Sequence, residues 1–187
     1  MITFKFNEAK TTQAVALFLK KNDRKMNYMK LIKLLYLADR GALARWERPI
    51  TGDSYFSMKN GPILSNVLDK ISSGKEPSKE SYWYKYIDKP CDYNVSLKRD
   101  PGKEELSKRE IELIDKIYKQ YKKYDEWEMV DVCHKILPEW EHPGPTSIPI
   151  RIEDILKELK KTEKEIEIIE EEASNLEYAD SVLSINP

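Results

Sequence analysis

The sequence predicts a mainly α-helical (α+β) fold: a compact domain of about six to seven helices with a small antiparallel β-hairpin or three-stranded sheet packed on it. Three observations support this prediction. Apolar residues recur at helical spacing along most of the 187-residue chain. Capping-box patterns mark the starts of several helices. One tract, residues 76–102, lacks a helical period and contains two runs of strand-forming residues, chiefly Tyr.

The composition suits one domain with an appended helix. Apolar residues make up 40% of the chain and charged residues 35%, which allows a core under a heavily charged surface. Residues 1–160 are predicted to form the domain, and residues 162–187 an acidic C-terminal helix and tail. From residue 151 onward 5 Lys/Arg stand against 11 Asp/Glu, whereas the preceding residues carry 27 against 22. The sequence therefore combines a mildly basic body with an acidic arm.

The central element is a helix that begins after Asn27 and ends before Pro49, since proline disfavours helix in the residue before it. Its apolar arc is wide, so we expect neighbours on several sides; the arc comprises Leu31, Ile32, Leu34, Leu35, Tyr36, Ala38, Ala42, Leu43 and Trp46. Asp39 falls inside this arc, where a carboxylate must find hydrogen-bond donors. Asp39 is therefore predicted to be a structural anchor first and a functional residue second. Lys33 and Arg40 are expected on the solvated side.

Cap signals place the flanking helices. Asn7 can cap a first helix that runs to about Lys21. Capping boxes at residues 107–110, 125–128 and 162–165 each open a later helix. The helix after residue 162 has a sparse apolar stripe of Ile166, Ile169, Ala173 and Leu176, which could close a dimer or cover the domain's own core.

The segment between the central helix and residue 74 reads as a strand followed by a helix. Residues 54–58 are predicted to form a short strand. Pro62 fits the first position of the next helix, and Gly74 fits just past its end. Asp39 is expected to accept hydrogen bonds from the backbone around Gly61 or from Lys59, which would lock this turn against the central helix.

A β-hairpin is predicted at about residues 82–98. Its strands would be residues 82–87 and 93–97, joined by a turn. Alternation would place Tyr82, Tyr84 and Tyr86 on one face and Trp83 and Ile87 on the other. Since only one face can cover the helices, the tyrosine face is predicted to be an exposed protein-binding patch.

Several function classes are disfavoured. A net charge of −1 argues against a nucleic-acid partner, and no apolar run reaches membrane length. There is no phosphate-binding loop and no nucleophile motif, and two histidines with two cysteines lack metal-ligand spacing. We therefore expect no enzyme, no cofactor and no metal. No signal peptide opens the chain, so a cytoplasmic protein is expected.

Five stretches together resemble the Panacea antitoxin domain, also called the SocA-like or GepA-like family. They are KLIKLLYLAD at 30–39, PITGDSY at 49–55, MKNGPILS at 58–65, HKILPEW at 134–140 and IEDIL at 152–156. Seven positions in these stretches are predicted to have structural roles: Tyr36, Asp39, Asp53, Gly61, Pro62, His134 and Trp140. The resemblance implies a mainly helical, non-catalytic protein from a bacterial or phage toxin–antitoxin pair.

The resemblance further implies neutralisation of a toxin by binding, and in one branch of the family delivery of the toxin to a protease. The prediction is thus an antitoxin that binds a cognate toxin through the tyrosine face and through residues 49–62, including Tyr55 and Lys59. The acidic last helix is a second candidate surface. The alternatives are a proteolytic adaptor, a DNA-binding autoregulator of its own operon, and an enzyme centred on His134 and Asp39.

Overall fold

The computed structural model describes residues 1–72 and 81–185. Within these residues it has eight helices and five short strands, in the order α1 (Glu8–Lys20), β1 (Lys25–Asn27), α2 (Tyr28–Trp46), β2 (Tyr55–Met58), β3 (Gly61–Leu64), α3 (Ser65–Ser72), α4 (Tyr82–Tyr86), β4 (Asn94–Ser96), α5 (Lys108–Tyr121), α6 (Glu126–Ile136), β5 (Ile148–Ile150), α7 (Ile152–Glu158) and α8 (Glu163–Ile185). The predicted mainly helical fold with a small antiparallel sheet is confirmed.

Helix α2 is the centre of the fold. Asn27 caps it by accepting from the backbone N–H of Met29, and it ends at Glu47, which adopts a left-handed conformation. The helix packs against α1, α5, α6 and β3, so its wide apolar arc is buried on several sides. The placement of Lys33 on the solvated side is wrong, because this side chain is only 1% exposed and points into the core.

Two antiparallel sheets accompany the helices. The three-stranded sheet has the order β3-β2-β5, in which Ser57 of β2 lies opposite Pro62 on one side and Ile148 on the other. The two-stranded sheet pairs β1 with β4, with Met26 opposite Val95. The larger sheet joins residues 55–64, next to α2 in sequence, to the C-terminal third of the chain.

The prediction that Pro62 opens a helix is wrong, since Pro62 lies within strand β3. Because β3 is an edge strand, the missing N–H of proline need not cost a ladder hydrogen bond. The helix begins three residues later, at Ser65. Gly74, which was expected beyond the end of that helix, lies outside the described residues.

The predicted hairpin at residues 82–98 is also wrong. Residues 82–86 form helix α4, and β4 pairs with β1 instead. Trp83 and Ile87 are both buried, but Lys85, which strand alternation would place on the same face, is exposed, so the run follows helical spacing. What remains of the hairpin is an isolated bridge between Ile87 and Leu97, with a second between Cys91 and Asn94.

The capped helices agree with the sequence. Asn7 caps α1, and capping boxes open α5 and α6. A third box precedes α8, where the backbone N–H of Glu165 donates to the hydroxyl of Thr162, and the N–H of Thr162 donates to the Glu165 carboxylate. In α8, Ile166, Ile169 and Ala173 are buried against the domain. The last helix thus covers the domain's own core with its first half.

Candidate functional site

Asp39 lies at the centre of a buried polar cluster. One carboxylate oxygen accepts from the backbone N–H groups of Ile50 at 2.8 Å and Thr51 at 3.0 Å. The other accepts from the hydroxyl of Tyr55 at 2.9 Å and from the hydroxyl of Thr51. Burial raises the pKa of Asp39 to about 6, and these four donors partly offset the rise. Asp39 therefore fixes the chain after α2 to the helix, as an anchor should.

The expected partners of Asp39, the backbone around Gly61 and Lys59, are wrong. The group that reaches this turn is Lys33, whose ammonium donates to the carbonyl of Pro62 at 2.8 Å. Gly61 has φ +92°, and a Cβ there would lie 3.1 Å from Cε of Lys33, so both the turn and the lysine require glycine. Burial lowers the pKa of Lys33 to about 8.

Asp53 holds the start of helix α3. Its carboxylate accepts from the backbone N–H groups of Asn66 at 2.9 Å and Val67 at 3.0 Å, and from that of Ser54 at 2.7 Å. The N–H groups of Asn66 and Val67 belong to the first turn of α3, where a helix leaves its N–H groups without intrahelical partners. Burial raises the pKa of Asp53, and the hydrogen bonds offset part of the effect. Asp53 is thus a cap supplied from outside the helix.

Glu139 is a site residue that the sequence reasoning missed. Its side chain is 0% exposed and accepts from Arg40 Nε at 2.8 Å. The same oxygen accepts from the hydroxyl of Tyr36 at 2.9 Å, and the Tyr36 ring meets that of Tyr55 edge-on at 5.4 Å. The clusters around Asp39 and Glu139 therefore meet at two tyrosines. The sequence did contain a signal for Glu139: it is an acid between Pro138 and Trp140, in one of the stretches that carry the family resemblance.

The loop after α6 packs on the tip of the β2–β3 turn. The Trp140 indole N–H donates to the carbonyl of Met58 at 3.0 Å, and its ring stacks on His134 at 3.8 Å. Nε2 of His134 is buried without a hydrogen-bond partner among the described residues. Burial and the nearby Lys33 charge lower the pKa of His134. His134 and Trp140 thus pack against the β2–β3 turn and stabilise it. The structure shows no hydrogen bond between His134 and Asp39.

The predicted contact residues do not form one surface. Tyr55 is 3% exposed and bonded to Asp39, so its placement on an outer surface is wrong. Lys59 is exposed at the tip of the β2–β3 turn. The three tyrosines of α4 are half-buried rather than displayed on a strand face.

Each α4 tyrosine also makes contacts within the protein. The hydroxyls of Tyr82 and Tyr84 donate to backbone carbonyls, those of Pro101 at 3.2 Å and Lys70 at 2.9 Å. Tyr86 packs against Tyr82 at 4.7 Å between ring centroids. Contact of these tyrosines with a partner stays a prediction.

The described residues contain no group of three His, Cys, Asp or Glu side chains placed to hold a metal ion. A groove of about 550 Å³ lies between the N-terminal segment, the loop after α2 and the second half of α8, and its lining includes Arg48 and Glu177. Over residues 1–72 and 81–185, no helix has the length and apolar character that a bilayer span requires.

Comparison with protein-family models identifies a family over the central part of the chain. The sequence model of the family described as "Antitoxin SocA-like, Panacea domain" matches residues 31–141. No curated protein and no solved structure matches the chain. The matched range runs from the start of α2 through the Trp140 loop, so it contains the Asp39, Asp53, Lys33 and Glu139 contacts described above. Since it spans more than half of the sequence, the chain belongs to the SocA-like antitoxin family that carries the Panacea domain.

Proposed function

We propose that this protein neutralises a cognate toxin by binding it directly, without catalysis and without a cofactor. The observation that carries the proposal is its membership of an antitoxin family over residues 31–141. A protein partner is what that membership implies, and direct binding is the simplest way for a helical domain to act on it.

The polar contacts support binding over catalysis. The carboxylates of three acids, Asp39, Asp53 and Glu139, all accept hydrogen bonds from groups within the domain. A general base needs a lone pair directed at a substrate, and a nucleophile needs a neighbouring base. His134 stacks on Trp140, with its Nε2 shielded from solvent. We therefore assign these residues to the scaffold that holds a binding surface.

For the contact surface, we retain the exposed tip of the β2–β3 turn at Lys59 and the exposed parts of Tyr82, Tyr84 and Tyr86. Trp140 and Lys33 hold the backbone of this turn on two sides, so the tip is rigid. A rigid, exposed turn loses little conformational entropy on binding.

Co-expression tests the proposal. The product of the adjacent reading frame is expressed from an inducible promoter, with and without this protein, and colony survival is counted. We expect killing that this protein relieves, and co-elution of the two chains in a fixed ratio. Relief without any complex would contradict direct binding. Toxin levels followed in cells lacking their ATP-dependent proteases separate blocking from delivery, since delivery requires the protease and blocking does not.

A matched pair of variants separates surface from scaffold. Lys59→Glu reverses one exposed charge and should weaken complex formation without changing the melting temperature. His134→Ala should leave rescue intact where the protein remains folded, because the proposal gives His134 no chemical role. Loss of rescue by a folded His134→Ala protein would favour an enzyme instead.

A further inference from the structure

Helix α8 has two apolar stripes on different sides. The inner stripe, Ile166, Ile169 and Ala173, is buried against the domain. The outer stripe lies on another side of the helix and is open to solvent: Ile168 is 48% exposed, Tyr178 72% and Val182 41%. A helix that only covers its own domain needs one apolar stripe, and the outer stripe is not covered by any of the residues that the structure describes.

The outer residues follow a heptad-like spacing. Ile168, Asn175 and Val182 are seven residues apart, and Tyr178 lies between the last two. At about 100° per residue these four positions fall on one face, which runs roughly 20 Å along the helix and which Glu171 shares. Apolar residues at this period are the usual seam for a second helix, and polar residues within such a seam, here Glu171 and Asn175, fix its register and select its partner.

The charges on and beside this face are mostly negative, and Lys164, at its N-terminal end, is the one base in α8. Glu167, Glu171 and Glu172 are exposed, and none has an ion-pair partner in the part of the chain that the structure describes. By contrast, Glu165 pairs with Lys161 and Glu170 with the N-terminal amine. Unpaired acids along an apolar seam favour a partner with basic flanks and disfavour a second copy, which would bring the same charges into contact.

The position of α8 relative to the family match also favours a role in recognising a particular partner. The match ends at residue 141, so the whole of α8 lies outside the shared domain. A surface that discriminates between partners is better placed on an element that the shared scaffold does not constrain.

We propose that the outer face of α8, formed by Ile168, Asn175, Tyr178 and Val182, is a docking site for an amphipathic helix with basic flanks that the toxin contributes. This inference rests on the proposed function and names the surface and the chemistry of the partner. The docked helix would bury Tyr178 and Val182 and place its Lys or Arg side chains beside Glu167, Glu171 and Glu172.

A peptide probe tests the chemistry of the site directly. The full chain is titrated against a labelled synthetic helix of about three heptads, with Leu at the core positions and Lys at the flanking positions. A second peptide carries Glu at the same flanking positions. We expect the basic peptide to bind, with an affinity that falls as salt rises, and the acidic peptide to fail. Equal binding of both peptides, or binding of neither, would overturn the proposal.

Variants locate the binding. The double variant Tyr178→Ser, Val182→Ser should lower the affinity for the basic peptide by about tenfold or more. Trp127→Ser, which removes another exposed aromatic side chain from a different helix, is the matched control and should leave the affinity unchanged. Sedimentation of the wild type tests the second-copy alternative, because a dimer that the double variant dissolves would mean that this face already binds another copy.

Rescue from the toxin by the same variants distinguishes a failure of the α8 docking site from a failure of the proposed antitoxin function. If the wild type and the double variant both bind and neutralise the toxin while Lys59→Glu does not, the α8 site is wrong and the antitoxin function stands. If the wild type neither binds nor neutralises the toxin, the proposed function itself fails, whatever the peptide does. Loss of toxin binding in the double variant, at an unchanged melting temperature, is the expected result.

Discussion

Replacing Asp39 with alanine removes the acceptor on which four buried donors converge. The backbone N–H groups of Ile50 and Thr51 and the hydroxyls of Thr51 and Tyr55 all donate to this carboxylate. Each buried donor left without a partner costs about 1–3 kcal/mol. The two hydroxyls can turn toward other acceptors, whereas the two N–H groups cannot. Removing a buried charge returns part of the loss, so we expect Asp39→Ala to lower the free energy of unfolding by about 2–4 kcal/mol.

Asp39→Asn is the matched variant, because it keeps the shape and one acceptor oxygen for the two backbone N–H groups. Its loss should be smaller than that of Asp39→Ala, about 1 kcal/mol. Urea unfolding followed by circular dichroism measures both values. An Asp39→Ala protein with an unchanged unfolding midpoint and lost toxin binding would refute the reasoning, and would make Asp39 a contact residue instead of an anchor.

The difference in stability between the wild type and Asp39→Asn is predicted to depend on pH. Burial raises the pKa of Asp39 from 3.8 to about 6. A raised pKa in the folded state means that proton binding stabilises the fold fully below about pH 4, and that this contribution is lost as the pH rises through 6. The stability of the wild type relative to Asp39→Asn should therefore fall by about 3 kcal/mol between pH 3 and 7. A flat difference across this range would contradict the assignment.

Two further predictions concern the other buried charges. Burial lowers the pKa of Lys33 from 10.5 to about 8, so the contribution of neutral Lys33 is full above pH 10.5 and lost as the pH falls through 8. The stability of the wild type relative to Lys33→Met should therefore rise by about 3 kcal/mol between pH 7 and 10.5, as thermal unfolding at each pH would measure. Glu139→Ala leaves Arg40 and the hydroxyl of Tyr36 without their acceptor and should cost about 3 kcal/mol in urea, whereas Glu139→Gln keeps an acceptor and should cost less.

Local signals in the sequence predicted the helices well. Each cap depends on residues within four positions of one another, so it is readable without knowing the fold. Asn7, Asn27 and the boxes at 107–110 and 125–128 all open helices where expected. The burial of Asp39 was predictable for the same reason, since helical period alone places it inside the apolar arc.

Features that depend on distant parts of the chain were not predictable in this way. The run of Tyr and Trp at 82–86 favours strand by composition, yet it forms a helix at whose start the carboxylate of Glu8 accepts from the backbone N–H of Trp83. The donors to Asp39 come from residues 50–55, and nothing in their spacing distinguishes them from the turn at Gly61. Lys33 was misplaced because its long side chain reaches a carbonyl that only the folded β2–β3 turn presents.

The distribution of polar contacts divides the molecule into two parts with different tasks. Along residues 31–141, the acids at 39, 53 and 139 are committed to internal donors, so changing one of them disturbs the scaffold before it alters any partner contact. Along α8, by contrast, the exposed acids at 167, 171, 172 and 177 have no ion-pair partner within residues 1–72 and 81–185, and no described residue packs over the outer face. Such positions can change without disturbing the fold, because surface substitutions of this kind cost little stability. Under the proposed function, recognition placed on α8 would therefore allow the partner to change without a new core.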